Sequence, residues 1–183
     1  MTSPFRNVVD SDYEVLVHIR LRWKKTVVFM EPMESAVGGL DIGDRSAFTT
    51  ELEVFFGCPF DSTDLDLDTG RLNGQYDVVT CLDVIEHLFN PLHCLLQIKQ
   101  VLAPGGRLYL STPRYKPHFL WSPHHFHEMS SRSVRALFDR AGFIILRQIT
   151  ITTLPWWRYF TGVRTLLRGL LIRTWLFELR ADS

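Results

Sequence analysis

The middle of the chain has the hydrophobic pattern of a strand, a helix and a second strand. Tyr76 to Leu82 is a largely apolar run with several β-branched residues, as expected for a strand buried in a parallel sheet. A helix then begins at Pro91, and its apolar residues share one face: Cys94, Leu95, Ile98, Val101 and Leu102. A Pro-Gly-Gly sequence at 104–106 ends this helix, and Arg107 to Ser111 forms the return strand. The segment therefore predicts a βαβ unit.

The same patterning predicts further elements on both sides of this unit. They are a leading helix from Asp12 to about Met30, a strand from Gly38 to Gly43, a helix from Ala47 to Phe56, a helix from Ser130 to Ala141 and a strand from Phe143 to Thr153. Asp61 to Asp68 alternates polar with apolar residues, as a strand or the end of one would. Strands that alternate with helices predict an α/β fold, with one doubly wound, mostly parallel sheet flanked by helices.

Composition narrows the functional classes. With 183 residues, 46% of them hydrophobic, the chain is expected to form a single domain with a substantial core. The 20 basic and 20 acidic side chains cancel, so no overall charge favours a polyanion and no DNA partner is expected. Cys58, Cys81 and Cys94 lack the spacing of metal ligands, and core packing is the expected role of Cys81 and Cys94. Since neither a secretion signal nor a membrane-spanning run is found, we expect a cytoplasmic protein.

The segment 154–183 is rich in Trp, Arg and Leu, and we expect it to be helical from about Gly162. One interpretation is a closing helix packed on the sheet. The other is an interfacial segment that lies on an anionic membrane or covers a protein partner. Arg173 falls opposite Arg164 and Arg168 on a helical wheel, which weakens the membrane interpretation.

Two blocks, YDVVTCLDVIEHL at 76–88 and LAPGGRLYLSTP at 102–113, resemble the fourth and fifth strands of small class I S-adenosylmethionine (SAM)-dependent methyltransferases. The resemblance covers roughly Gly38 to Thr150. It implies one Rossmann-like domain with an N-terminal helical extension (1–37), a core (38–153) and the C-terminal tail (154–183). Only about thirty residues separate the first-strand turn from the YDVV strand, where the family has a strand, a helix and another strand. We therefore expect one strand and one helix to be missing from the middle.

The resemblance also implies a cofactor site. The turn GLDIGDRS resembles the family's D/E-x-G-x-G loop: Asp41 and Gly43 match, and Arg45 replaces the second glycine. A glycine here lets the backbone approach the methionine part of SAM. A carboxylate from the acidic run that follows is expected to bind the ribose hydroxyls or the adenine amino group, and Asp64 or Asp66 is the candidate.

The ionisable residues after the YDVV strand are candidates for chemistry. Asp83, Glu86 and His87 follow the carboxyl end of this strand, where ligands bind in open α/β sheets, and Asp83 is expected to line the cofactor pocket. A histidine-rich loop from Tyr115 to Met129 follows the next strand and is expected to lie over the pocket. Imidazoles titrate near neutral pH and are natural general bases. The candidate bases are His87, His125 and His127, with His124 as an alternative.

The same residues resemble the ligand sets of two metal-using branches, the ubiquinone-type O-methyltransferases and the small-RNA terminal 2′-O-methyltransferases. In those enzymes the glutamates and histidine of E-x-x-E-H hold a divalent ion. Transferred to this sequence, the implied ligands are Asp83, Glu86, His87 and His125, with His124 or His127 as substitutes. Two carboxylates and two imidazoles suit Mg²⁺, Mn²⁺ or Fe²⁺ better than a zinc cage. The alternatives are a pocket wall with a histidine base, and a structural role.

The sequence thus predicts a SAM-dependent methyltransferase that acts on an oxygen, or less readily a nitrogen, of a small molecule. Two alternatives remain. Arg45 and the short middle suggest a degenerate domain that binds or scaffolds without turnover. The stretch His125-Phe126-His127-Glu128 suggests RNA 2′-O-methylation, against which the neutral charge and the lack of a basic stripe argue.

Overall fold

The computed structural model describes residues 17–152 and 171–182, and helices alternate with strands along most of this part. The elements are α1 Val17–Phe29, β1 Gly39–Asp41, α2 Ala47–Phe56, β2 Phe60–Ser62, β3 Tyr76–Leu82, a 3₁₀ turn Ile85–His87, α3 Pro91–Val101, β4 Leu102–Pro113, a second 3₁₀ turn His118–Leu120, α4 Ser131–Ala141, β5 Phe143–Ile151 and β6 Thr174–Ala181.

The six strands found in the described ranges form one sheet, in the order β2-β1-β3-β4-β6-β5. The first four strands in sequence are parallel to one another, while β6 is antiparallel to both β4 and β5. The predicted α/β fold with a mostly parallel sheet is therefore confirmed.

Each face of the sheet has its own hydrophobic core. Val79 on one face packs with residues of α3 and α4, whereas its neighbour Val78 packs on the other face with residues of α1 and α2. This alternation follows from the two-residue period of a strand, and it explains why β3 is apolar on both faces. Cys81 and Cys94 are buried in the first of these cores, as predicted.

The shortened middle is also confirmed. Between α2 and β3 the chain forms only the three-residue strand β2, and residues 63–75 form no helix or further strand. Asp61 to Asp68 was expected to be a strand or the end of one, and the strand is restricted to Phe60–Ser62. The acidic residues beyond Ser62 therefore lie in a loop at the carboxyl end of β2.

The C-terminal end differs from the expectation. Residues 174–181 form strand β6 instead of a helix, and β6 inserts between β4 and β5, so the core does not end at residue 153. Glu178 on β6 forms ion pairs with Arg107 on β4 and Arg147 on β5. Partners distant in sequence thus determine this segment, and local periodicity cannot reveal them. The expectations for residues 153–170 fall outside the described residues.

The start of β4 also differs from the prediction. The strand β4 begins at Leu102 and runs through the Pro-Gly-Gly sequence, and a shift in its register with β3 between Tyr76 and Val78 accommodates the extra residues. The leading helix is described only from Val17, so its predicted start at Asp12 is not tested. Within residues 17–152 and 171–182, no helix is both long and apolar enough to span a bilayer.

The contacts of Glu178 predict its effect on stability. Its side chain is 5% exposed, and replacement by alanine removes this carboxylate from both guanidinium groups, of which Arg147 keeps its ion pair with Glu31. We expect Glu178→Ala to lower the free energy of unfolding by about 2 kcal/mol, as for a lost hydrogen bond to a charged group. Urea denaturation measures this change. The control is Arg180→Ala on the same strand, where the exposed side chain should matter by less than about 0.5 kcal/mol. Equal losses for both variants would contradict this account of β6.

Candidate functional site

The loop after β1 forms one side of the site. Asp41 of β1 lies opposite Thr80 of β3, so the GLDIGDRS and YDVVTCLD segments are neighbours in the sheet. Gly43 has φ = 122°, which side chains of L residues rarely adopt, and a Cβ built on Gly43 meets no atom within 4 Å. The Gly43 amide donates to the hydroxyl of Thr63 at 2.7 Å, which holds the loop against the segment after β2. The space in front of Gly43 is therefore open to a ligand.

Asp41 supports this loop from inside the protein. Its two carboxylate oxygens accept hydrogen bonds from the hydroxyls of Thr49 and Thr80, each at 2.6 Å. Burial raises the pKa of Asp41, and these two hydrogen bonds partly oppose the rise. Asp41 thus joins α2 to β3, and of the two loop residues predicted to bind cofactor, Gly43 is the one beside open space.

Arg45 is directed away from the space at Gly43. Its guanidinium donates to the carboxylate of Glu53 at 2.7 Å and to the backbone carbonyl oxygen of Phe60 at 3.0 Å. These partners lie on α2 and at the start of β2, so the side chain runs along the outside of the loop. The replacement of the family's second glycine therefore does not block the site.

The two acidic candidates after β2 have different surroundings. Asp64 is exposed and lies two residues beyond the end of β2. Asp66 caps a turn instead: its carboxylate accepts hydrogen bonds from the amide of Asp68 and the hydroxyl of Thr69, both at 2.9 Å. The turn therefore already uses both carboxylate oxygens of Asp66.

Glu86 lies in the 3₁₀ turn after β3 and is 1% exposed, yet neither of its carboxylate oxygens has a hydrogen-bond partner within residues 17–152 and 171–182. Burial, and then the negative charge of Asp83, raise the pKa of Glu86 well above its ordinary value. A buried carboxylate without a partner is unfavourable, so this group requires either a proton or a cation.

His87 and His125 lie beside this carboxyl group. Their rings are edge to face with centroids 4.8 Å apart, and one donor atom from each of Glu86, His87 and His125 lies within 4.8 Å of the others. We call these three residues the imidazole–carboxylate cluster. Burial lowers the pKa of His87, so its imidazole is neutral at neutral pH. The cluster thus combines a neutral base with a carboxyl group that has no protein partner.

Asp83 does not join this cluster, contrary to the predicted ligand set. Its carboxylate forms an ion pair with Arg22 of α1 and accepts a hydrogen bond from the hydroxyl of Ser111 at 2.8 Å. Asp83 also has φ = 55°, an unusual value for a residue other than glycine. The helix α1, which the sequence placed in an extension, therefore contacts the end of β3.

The structure also separates the three candidate histidines at the end of the loop. Among the described residues, His125 is the one that joins the cluster. His124 contributes its backbone carbonyl oxygen, which lies 2.9 Å from Nδ1 of His87, while its own side chain is exposed. His127 is not part of the cluster, and its Nε2 is buried without a hydrogen-bond partner.

Sequence reasoning did not identify Lys116 and Glu128 as residues of the site. Both are buried, and they form an ion pair that also includes Nδ1 of His125. One available signal was the spacing of three residues between His125 and Glu128, but Lys116 offered none. Thr63 was likewise missed, because a threonine among aspartates does not indicate a contact with a glycine loop.

Comparisons with known proteins identify the family of this chain. Residues 11–148 match a family described as a methyltransferase domain. A ubiquinone biosynthesis O-methyltransferase of Pseudomonas paraeruginosa is 29% identical over 86 residues, which are 45% of this chain and 37% of that protein. The chain therefore spans little more than a third of the length of this curated relative.

Solved structures share the fold at low sequence identity. One is the O-methyltransferase of a trans-AT polyketide synthase multienzyme of Brevibacillus brevis in complex with S-adenosyl-L-homocysteine, with 13% identity, a TM-score of 0.62 and coverage of 98% of this chain and 80% of that one. Another is the N-methyltransferase NodS of Bradyrhizobium japonicum, with 13% identity, a TM-score of 0.63 and coverage of 91% and 97%. Since the family match spans most of the 183 residues, this chain belongs to the methyltransferase-domain family and has the class I SAM-dependent methyltransferase fold.

Proposed function

We propose that this protein transfers a methyl group from SAM to an oxygen atom of a small molecule. The observation that carries the proposal is the placement of two features at one edge of the sheet. The open space at Gly43 follows β1, and the imidazole–carboxylate cluster follows β3, the neighbouring strand. Ligands of open α/β sheets bind at this carboxyl edge. The cofactor belongs at the first feature and the acceptor hydroxyl at the second.

The residues around Gly43 fit a SAM site. Gly43 allows close approach of the backbone, and Asp64 is our candidate for the ribose hydroxyls because its side chain is exposed just beyond the carboxyl end of β2. We place Asp83 at the wall of the cofactor pocket because it follows β3 at this edge, where Arg22 and Ser111 hold its carboxylate. The S-adenosyl-L-homocysteine complex of the Brevibacillus brevis relative supports a cofactor of this class.

Methyl transfer to oxygen requires a group that removes the proton of the hydroxyl. When bound, SAM supplies an electrophilic methyl group on a sulfonium. The protein must orient the acceptor and take up its proton. His87 is suited to this role because burial keeps its imidazole neutral, and His125 lies against it. The name of the curated relative, an O-methyltransferase, supports oxygen as the accepting atom.

An exposed aromatic pair next to the cluster supports an acceptor with an apolar part. Phe89 and Phe126 are 61% and 46% exposed, and their rings lie 4.1 Å apart between centroids. Phe89 follows His87 by two residues and Phe126 follows His125 directly. Exposed rings beside a base offer a surface on which an aromatic or apolar small molecule can lie.

As the alternative to proton removal by His87, we propose that the cluster binds a divalent cation. The two roles exclude each other, because the single Nε2 lone pair of His87 cannot both accept a proton and coordinate an ion. Among the described residues, the buried carboxylate of Glu86 has no hydrogen-bond partner, and each imidazole uses only Nδ1 in a hydrogen bond. One carboxylate and two imidazoles suit Mn²⁺ or Fe²⁺, whereas Mg²⁺ favours oxygen ligands. Such an ion would lower the pKa of a hydroxyl bound to it.

Binding of SAM is the first test. Isothermal titration should give a dissociation constant on the order of micromolar for the wild-type protein. In Gly43→Ala the added methyl group enters the open space and strains the backbone, so we expect affinity to fall by about tenfold or more. Gly38→Ala is the matched control, because a Cβ there meets only Tyr76, at 4.0 Å, and affinity should not change. Absence of binding at millimolar SAM would instead support a non-catalytic module.

The accepting atom is tested by release of S-adenosyl-L-homocysteine. We expect product with simple phenols, and none with the corresponding methyl ethers, which lack a hydroxyl. His87→Ala should lower kcat by about 10²- to 10⁴-fold, as for loss of a general base. His93→Ala is the control, since His93 contacts the backbone of Gly70 and lies outside the cluster. Product from anilines but not from phenols would contradict oxygen as the acceptor.

The metal site is tested by the effect of Mn²⁺ on thermal unfolding. A ligand at 100 times its dissociation constant stabilises the native state by about 2.7 kcal/mol, so Tm should rise in the wild-type protein. The rise should disappear in Glu86→Gln and persist in Asp83→Asn, because Asp83 is a nearby carboxylate outside the cluster. An equal rise in Glu86→Gln, or none in the wild-type protein, would rule out this site.

A further inference from the structure

The loop that carries His125 also buries a charged pair, Glu128 and Lys116. Their side chains are 0% and 7% exposed, although glutamate and lysine are rarely buried unless paired. Neither residue belongs to the imidazole–carboxylate cluster. We infer that Glu128, held by Lys116, is a positioning residue that fixes the tautomer of His125. This inference rests on the proposed function and identifies a further part of the same site.

The contacts of Glu128 determine which nitrogen of His125 carries the proton. Oε1 of Glu128 accepts a hydrogen bond from Nζ of Lys116 at 2.5 Å and lies 2.9 Å from Nδ1 of His125. A carboxylate paired with an ammonium group is ionised, and an ionised carboxylate can only accept hydrogen bonds. Nδ1 of His125 must therefore be the donor. In the neutral ring, Nε2 is then left with its lone pair.

His87 is held in the same tautomer by a different acceptor. Its Nδ1 lies 2.9 Å from the backbone carbonyl oxygen of His124, and a carbonyl oxygen also can only accept. Both rings therefore keep Nε2 available, and they lie edge to face. The lone pair at Nε2 is what His125 needs, either to accept a proton from a hydroxyl or to bind a cation.

Lys116 makes this choice of tautomer secure. Oε2 of Glu128 is buried and has no hydrogen-bond partner in the described part of the chain, so the negative charge depends on the contacts of Oε1. Without the ammonium group, the buried carboxylate is left uncompensated, which is unfavourable, and its contact with Nδ1 of His125 is no longer secured. Loss of Lys116 is thus expected to act on His125 through Glu128.

The surrounding loop keeps the pair in place. The amide of Tyr115 donates to the carbonyl oxygen of Met129 at 3.1 Å, which closes the loop at its base. Nε1 of Trp121 donates to the carbonyl oxygen of Lys116 at 2.8 Å. The position of Lys116 is therefore fixed through its backbone, independently of its contact with Glu128.

The tautomer can be measured directly in the wild-type protein. Nitrogen-15 NMR of histidine-labelled, metal-free protein at about pH 8, above the ordinary histidine pKa near 6.5, reports which ring nitrogens carry protons. His125→Asn identifies the signals of His125. We expect a proton on Nδ1 of His125. A ring with its proton on Nε2 and none on Nδ1 would overturn the inference, and no substitution of Glu128 is needed to learn this.

Variants then test the consequence for the reaction. Glu128→Gln should lower kcat by about 10- to 100-fold, as is typical for residues that orient a functional histidine, while the KM for the acceptor and the Kd for SAM remain close to wild type. Lys116→Met should shift His125 toward the Nε2-protonated tautomer. Because a glutamine oxygen can still accept from Nδ1, the double variant is Lys116→Met, Glu128→Leu. It leaves no uncompensated buried charge and no acceptor for Nδ1 at position 128, so it should fold well and still have the low kcat. A double variant with wild-type kcat would overturn the inference.

Trp121→Phe controls for a merely structural role. It removes another hydrogen bond from the same loop, so Tm should fall while the His125 tautomer and kcat remain unchanged. If Trp121→Phe lowers kcat as much as Glu128→Gln, the effect belongs to the loop as a whole and the positioning role fails. Failure of the proposed function can be told apart from failure of this inference. Absence of SAM binding in the wild-type protein would contradict the proposed function. The NMR measurement requires no turnover and tests the tautomer alone.

Discussion

The parallel pairing of β1 with β3 is the constraint on which the site depends. Asp41 lies opposite Thr80 in this pair, and its carboxylate accepts the hydroxyl groups of Thr80 and Thr49. One buried residue thus joins β1, β3 and the first turn of α2. As a consequence, the chain leaves β1 at Gly43 and leaves β3 at Asp83 along the same edge of the sheet. A different register would separate the open space at Gly43 from the imidazole–carboxylate cluster.

Elements whose conformation is determined by their own and adjacent residues could be predicted from the sequence. The predicted bounds of β3 and α2 agree with the structure. The limits of α2 are set by its own residues, since Ser46 and Thr49 form a capping box and Gly57 adopts a left-handed conformation after the last turn. β6 could not be predicted in this way. Its conformation depends on hydrogen bonds to two strands that precede it by many residues, and the pairs of Glu178 become visible only when those strands are placed.

The same distinction applies to the site. Glu86 and His87 are adjacent in a recognisable motif, and the structure brings His125 to them as the resemblance implied. Asp83 belongs to the same motif, yet its carboxylate binds Arg22 of a helix that lay outside the resemblance. Sequence spacing identifies residues at the end of a strand. It does not reveal which of them a distant cation will bind.

Glu86 and Glu128 show how the surroundings assign different roles to the same side chain. Both are buried within one loop-and-turn region, but Glu128 has an ammonium partner and Glu86 has none. The charge of Glu128 is therefore already balanced inside the protein, so this carboxylate can orient an imidazole but has little to gain from another cation. Glu86 remains unbalanced, and burial raises its pKa. Binding of a proton or an ion would therefore relieve the unfavourable burial of Glu86. Glu128 lacks this driving force because Lys116 already balances its charge.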